Sequence, residues 1–206
     1  MRYGREQRLF AGSRLFEEAE ARKAGILRAI NSASSDDLGE GTNEEVATKV
    51  AQRFLFPEDL IANYDDPSFD DDEVEITFEQ FGRNVTQRVQ RFQFFVQVSG
   101  SLELLSIRPM SGPLSYPSSV TLEGNDLVFT YNDSSRIGAV GIKKQFENDL
   151  TVVRQGIENL KSSMTQQNLI LKTFGTGAVA QRRAQLAQQA DAIRDIGFPR
   201  RREPPS

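Results

Sequence analysis

From Leu9 to Ile30 apolar residues recur at mixed spacings of three and four: Leu9, Phe10, Leu15, Phe16, Ala19, Ile26, Leu27 and Ile30, with charges between them. That rhythm predicts an amphipathic helix. The stretch "NSASSDDLGEG" interrupts it with small and turn-forming residues. "TNEEVATKVAQRFLF" restarts a helix. Thr42 or Asn43 caps it, Glu44 and Glu45 suit its first turn, and Val46, Val50 and Phe54 line one face. Pro57 closes this N-terminal helical segment, residues 1–57.

Residues 58–79 hold ten acidic side chains and no basic one. The run 58–73 reads as an exposed, self-repelling linker. From Val74 the period becomes two. "VEITFEQF" alternates Val74, Ile76 and Phe78 with Glu75, Thr77 and Glu79, and "RFQFFVQVSG" sets Phe92, Phe94, Val96 and Val98 on one face. "SLELLSIRP" supplies another candidate strand ending at Pro109. "SVTLEGNDLVFTY" reads as a hairpin turning at Gly124-Asn125. The sum, over residues 74–132, is an antiparallel sheet or sandwich of about five strands.

The last third has the sharpest pattern. Phe146, Leu150, Val153, Ile157, Leu160, Met164, Gln167, Leu171 and Phe174 alternate spacings of four and three, a heptad seam with one polar position. Gly156 within it costs about 1 kcal/mol relative to Ala and marks a close helix approach. "TFGTGA" predicts a break, after which Val179, Leu186, Ala190 and Ile193 line a second helix. Residues 142–198 are therefore expected to form a long antiparallel helical hairpin. Gly197, Phe198 and Pro199 carry the signature of a helix end, and 199–206 form a basic, proline-rich tail. The predicted fold class is α+β: N-terminal helices, a small antiparallel sheet or sandwich, and a long C-terminal helical hairpin.

Charge and composition change this picture in two ways. The net charge is −4, but residues 1–141 carry 14 basic and 23 acidic side chains (14 − 23 = −9), and residues 142–206 carry 11 and 6 (11 − 6 = +5). A basic C-terminal third suits phosphate or acidic protein surface. The chain also has no Cys and no His, which removes disulfides, thiolate and imidazole ligands, cysteine nucleophiles and the Ser-His-Asp triad. The N-terminus has no apolar signal core, and no apolar run approaches the ~20 residues that span a bilayer. The expectation is a cytoplasmic protein with no membrane partner.

Motifs add little chemistry. "GTGAVA" at 175–180 matches a dinucleotide fingerprint, yet it follows a heptad helix where the fingerprint needs a strand, so a turn is the better reading. The acidic run lacks the ligand register of a calcium loop. No lysine has a carboxylate two residues before it, as a metal-dependent nuclease motif would, and no phosphate-binding loop or nucleophile elbow occurs. No catalytic, cofactor-binding or metal-ligating residue is assigned, no cofactor is expected, and the chain reads as a non-enzyme. Arg182, Arg183, Arg194, Arg200, Arg201 and Arg202 are candidate phosphate contacts. The seam positions Phe146, Leu150, Val153, Ile157, Leu160, Met164, Leu171 and Phe174 outnumber what the second helix can cover. The expectation leans toward sharing them with a partner subunit or domain, against burial within the chain itself.

The runs "VSGSLELLSIRP" and "DLVFTY", the long helix, and "AQRRAQLAQQADAIRDIGFPRRR" carry a resemblance. Over about residues 74–202 the chain resembles the non-catalytic N-terminal region of uncharacterised bacterial proteins with a restriction-endonuclease-like domain, associated with antiphage defence. The most specific pieces are the run from Gly100 to Pro109 and the arginine-rich helix leading to Gly197-Phe198-Pro199. The resemblance implies a sensing, assembly or regulatory module acting through an effector partner such as a nuclease or ATPase. It transfers no catalytic residue. The alternative reading is a nucleic-acid-binding module using the final helix and the arginine tail.

Overall fold

The structure is a computed structural model that describes residues 7–112 and 115–195. The chain forms two compact units, and neither is a consecutive stretch. One takes the chain up to Glu17 together with Pro57–Thr165; the other takes Glu18–Phe56 together with the chain from Gln166 onward.

The first unit holds an antiparallel sheet of strands β1 (Gln7–Arg8), β2 (Ile61–Ala62), β3 (Ser68–Gln80), β4 (Arg83–Ser99), β5 (Val120–Glu123) and β6 (Asp126–Asn132). The order is β1-β5-β6-β4, with β2 and β3 both paired to β4. The Gln97 carbonyl accepts from Asn63 N–H at 2.8 Å, and the next residue, Val98, donates to Asn125 at 2.7 Å. Successive residues of a strand bond to opposite sides, so β2 and β3 follow one another along the side of β4 away from β6. The result is a single sheet, not a sandwich.

Two tight turns set the register. β5 and β6 close at Glu123 opposite Asp126, with Gly124 at φ 61° in the first turn position, the hairpin read from the sequence. β3 and β4 close at Gln80 opposite Arg83, and both turn residues are left-handed, Phe81 at φ 51° and Gly82 at φ 74°. β6 stops pairing with β4 at Arg91 opposite Asn132. Along Glu73–Gln80 and Arg83–Gln90 no further strand flanks the pair among the described residues. This ribbon is roughly 26 Å long at about 3.3 Å per residue.

Three expectations for this unit need correction. The acidic run is not a linker: Ile61–Ala62 pairs with β4, and β3 begins at Ser68. Its charges are matched across the strands, Asp72 forming an ion pair with Arg91 and Glu75 with Arg88 at 3.0 Å, while Gln90 donates to Asp71 at 2.6 Å. The hydrogen bond to Asp72 also raises the Arg91 pKa. "SLELLSIRP" is a 3-10 turn over Leu102–Ser106. Its adjacent Leu104 and Leu105 are both buried, which a strand, sending neighbours to opposite faces, cannot do against one core. Before it, Gly100 has φ 90°, and a Cβ there would lie 2.1 Å from the Asp59 carbonyl oxygen, so β4 must stop. Finally, the first apolar residues are not helical. Leu9 and Phe10 follow β1 as a buried turn, with Phe10 at φ 54°, and helix α1 starts only at Leu15 (Leu15–Asn31).

The second unit is helical. It contains α1 from Glu18, α2 (Ser35–Leu38), α3 (Asn43–Ala51) with a 3-10 turn to Phe54, and the later part of α4 (Gly138–Asp195). Ser34 and Thr42 each cap their helix in a reciprocal box with Asp37 and Glu45. Those bonds hold both carboxyl groups below their ordinary pKa, Asp37 through the Ser34 hydroxyl first and Glu45 through the Thr42 backbone first.

The helical hairpin is absent: α4 runs without interruption through "TFGTGA". Each glycine costs a helix only about 1 kcal/mol, and the four-three rhythm continues from Leu171 and Phe174 to Ala178. Gly175 is buried where a Cβ would touch Ala47 at 3.4 Å and Ile26 at 3.7 Å. The Thr173 and Thr176 hydroxyls donate back to the Leu169 and Lys172 carbonyls at 3.1 and 3.2 Å. Gly175 therefore admits neighbouring helices, Gly177 faces open space, and neither ends this one. The expected helix end at Gly197-Phe198-Pro199 lies outside the described residues.

Candidate functional site

The heptad seam holds the chain's own fold together. Phe146, Val153, Ile157, Leu160, Met164 and Leu171 are buried in a single copy, and Leu150 and Phe174 are half-buried. Phe146 stacks flat on Phe94 at 4.2 Å and meets Phe129 edge-on at 5.1 Å. Tyr131 donates to Asp149 one helical turn on, at 2.8 Å, and burial is the main cause pushing that phenol pKa upward. At Gly156 a Cβ would lie 2.5 Å from Tyr116 and 3.0 Å from Phe10, so the approach is made by aromatic rings and not by the second helix that the sequence reading expected. The expectation of a seam shared with a partner is corrected on this point. The sheet meets it at Phe146 and the Phe10 segment at Gly156, while Ile26 of α1 and Ala47 of α3 meet Gly175 beside its far end. Of the in-chain alternative, burial against a hairpin partner and the sheet, the structure has the sheet and not the second helix.

Sequence reasoning missed the polar residue beside the seam. Asn168 is buried and acts as a strand partner for Phe56, accepting from its N–H at 2.8 Å and donating to its carbonyl at 3.0 Å. The seam's own polar position, Gln167, is buried next to it. An asparagine adjacent to a heptad position was the available signal.

The six candidate arginines do not form one stripe. Arg182 donates twice to the Ala33 carbonyl, at 3.2 and 3.0 Å, just past the end of α1. Arg183 donates to the Leu38 and Gly39 carbonyls at 3.1 and 2.8 Å and to Asn43 Oδ1 at 2.9 Å. Both guanidinium groups thus cap the carbonyl ends of helices in their own unit, where cations are favoured. Arg194 is exposed and 3.6 Å from Asp191. Arg200, Arg201 and Arg202, with the rest of the tail, lie outside the described residues.

The acidic run gathers no cation site either. Among the described residues no three carboxylates converge as metal ligands. Nor is any described helix long and apolar enough to cross a membrane.

Two surfaces that the sequence did not single out remain. The first is the outer end of the β3–β4 ribbon. Phe81 sits at its apex 96% exposed, beside Phe78 and Val85, which face each other across the strands and are themselves exposed. A cross-strand hydroxyl pair, Thr77 and Thr86 at 3.0 Å, and the Glu75–Arg88 bridge stiffen the ribbon behind it. The signal was in the sequence: a glycine at 82, then Val85 and Val89 continuing the alternation. The second surface is a hollow of about 570 Å³ in the first unit, lined by Arg8, Phe10, Arg108, Ser115, Tyr116 and their neighbours. Comparison with protein-family models, with curated proteins and with solved structures finds no match to this chain.

Proposed function

We propose that the chain is a non-catalytic protein-interaction module whose docking arm is the outer end of the β3–β4 ribbon. The observation that carries this reading is Phe81, a large aromatic standing almost wholly in solvent at the apex. It also occupies a left-handed turn position normally given to asparagine, aspartate or glycine. Nothing in the fold of the free chain rewards phenylalanine there, whereas aromatic anchors dominate binding energy at protein interfaces. The partner is a protein with an apolar pocket for the Phe81 ring and charges of both signs at its rim, because Glu79 and Arg83 flank the apex and have no ion pair among the described residues. The resemblance to defence-associated chains gives that partner the role of an effector, with this module as its regulatory or assembly element.

A photocrosslinking amino acid placed at Phe81 in cells tests the reading. One discrete protein adduct is expected. The purified partner should then bind wild-type chain at least about tenfold, ~1.4 kcal/mol, more tightly than Phe81→Ser. Absence of a discrete adduct, or a partner indifferent to the substitution, refutes it. The nucleic-acid alternative has lost Arg182 and Arg183 to helix capping, and its Arg200, Arg201 and Arg202 lie outside the described residues.

A further inference from the structure

We propose that the groove running from Arg8 past Arg108 to Arg14 binds a small phosphate-bearing molecule. The site is independent of the ribbon. Its walls are two chain segments held side by side: Phe10 N–H donates to the Leu105 carbonyl at 2.7 Å, Arg108 N–H to Ser13 at 2.9 Å, and Leu15 N–H to Arg108 at 3.1 Å. This brings Arg14 opposite Arg108 in a parallel bridge. Two hollows, of about 570 and 340 Å³, open along the segments, and Arg108, Pro109 and Met110 line both. Arg8 also lines the first and Arg14 the second.

Charge is the reason to assign an anion. Arg8, Arg14 and Arg108 are exposed, and among the described residues none of their guanidinium groups pairs with a carboxylate, although Glu17 Oε2 accepts from the Arg14 backbone N–H at 3.1 Å; no described Asp or Glu lines either hollow. The chain carries 29 acidic residues and a net charge of −4. It provides carboxylates for Arg88, Arg91, Arg154 and Arg194. Like charges at paired positions repel, so Arg14 opposite Arg108 is an unfavourable pairing that a bound anion would reverse. Guanidinium forks match phosphate oxygens bidentately. Arg108 is partly oriented already, its Nε 3.5 Å from the Phe10 carbonyl oxygen.

The rest of the first hollow suits the body of such a ligand. Phe10 and Tyr116 pack at 4.3 Å to form an aromatic floor. The Tyr116 hydroxyl is buried without a hydrogen-bond partner among the described residues, an arrangement that normally costs about 1–3 kcal/mol. Ser111 and Ser115 add hydroxyl groups at the rim. The volume falls within the roughly 300–1,000 Å³ of small-molecule sites. A phosphate would seat between Arg8 and Arg108 with a planar or apolar group on the aromatic floor, and Arg14 would receive a second anionic group.

Titration of the full chain with pyrophosphate, adenosine monophosphate and phosphate-free adenosine, followed by amide chemical shifts, tests this. Saturable shifts are expected for residues 8–16 and 108–120 with the two phosphate compounds and none with adenosine. Arg8→Ala and Arg108→Ala should each weaken binding at least about tenfold. Arg8→Ala, at an exposed strand end, keeps the test valid if Arg108→Ala unfolds. Three results overturn the proposal: no saturable shifts with either phosphate compound, binding unchanged in Arg8→Ala, or binding only to oligonucleotides.

Discussion

Replacing Phe81 with Asn should stabilise the ribbon while removing its docking group. A non-glycine residue in the left-handed region carries roughly 1–2 kcal/mol of steric cost, and asparagine carries much less of it. Phe81 is 96% exposed in the free chain, so deleting its ring forfeits almost none of the ~2–3 kcal/mol that full burial of a phenylalanine would bring. The net expectation is a gain of about 0.5–1.5 kcal/mol, localised to the hairpin. Because no third strand flanks the outer ribbon, and two-stranded ribbons are marginal alone, the gain belongs to local opening more than to global unfolding. Native-state amide exchange is the appropriate assay. Protected amides between Thr77 and Thr86 should exchange about 2- to 12-fold more slowly in Phe81→Asn. Unchanged or faster exchange would show that the ring packs on the ribbon and that the turn is not strained, removing the argument that this phenylalanine is there for a partner.

Two glycines of α4 should respond in opposite directions. Gly177→Ala meets nothing within 4 Å and should stabilise by about 1 kcal/mol, whereas Gly156→Ala drives a methyl into Tyr116 and should cost about 1 kcal/mol or more net of its helix gain; urea melts decide, and a destabilising Gly177→Ala would argue for a turn at that point. Asn168→Leu leaves the buried Phe56 N–H and carbonyl unpaired and should cost about 2–4 kcal/mol by the same measurement, with Asn168→Asp also destabilising because it keeps only the acceptor. Burial pushes the Tyr64 phenol up from 10.0 to about 12, so the folded chain holds that proton longer than the unfolded one. Tyr64's contribution to stability is therefore complete below pH 10 and is lost as pH rises through about 12. Tyr64→Phe should flatten the alkaline fall in melting temperature without lowering it at pH 7, since the hydroxyl has no hydrogen-bond partner among the described residues; Tyr131, also raised, retains its own share of the fall.

Local chemistry was readable wherever one short segment decides its own conformation. The helix start at Thr42 or Asn43, the Gly124-Asn125 turn and the seam rhythm belong to this class, and the structure chose Thr42 as the cap. The failures share a cause: each needed a partner distant in sequence. Asp70, Asp71 and Asp72 look like a repelling linker until Gln93, Arg91 and Gln90 stand alongside them. Gly175 looks like a break until Ala47 and Ile26 fill the space its missing side chain leaves. Leu9 and Phe10 continue a helical rhythm by accident of spacing, and pairing of β1 with β5 overrides it. The candidate surfaces were illegible for a related reason. An exposed apex or an unpaired arginine is defined by what does not reach it, and that is known only once the rest of the chain is placed.

The interleaving of the two units has a genetic consequence. The backbone passes between them at three points, after Glu17, after Phe56 and after Thr165. The first and last of these fall inside helices, within Leu15–Asn31 and Gly138–Asp195, where the hydrogen-bond ladder is continuous. No single cut in the reading frame releases either unit whole. A truncation or fusion at any one of these points therefore splits a unit, and a fragment that is to fold must carry both units together.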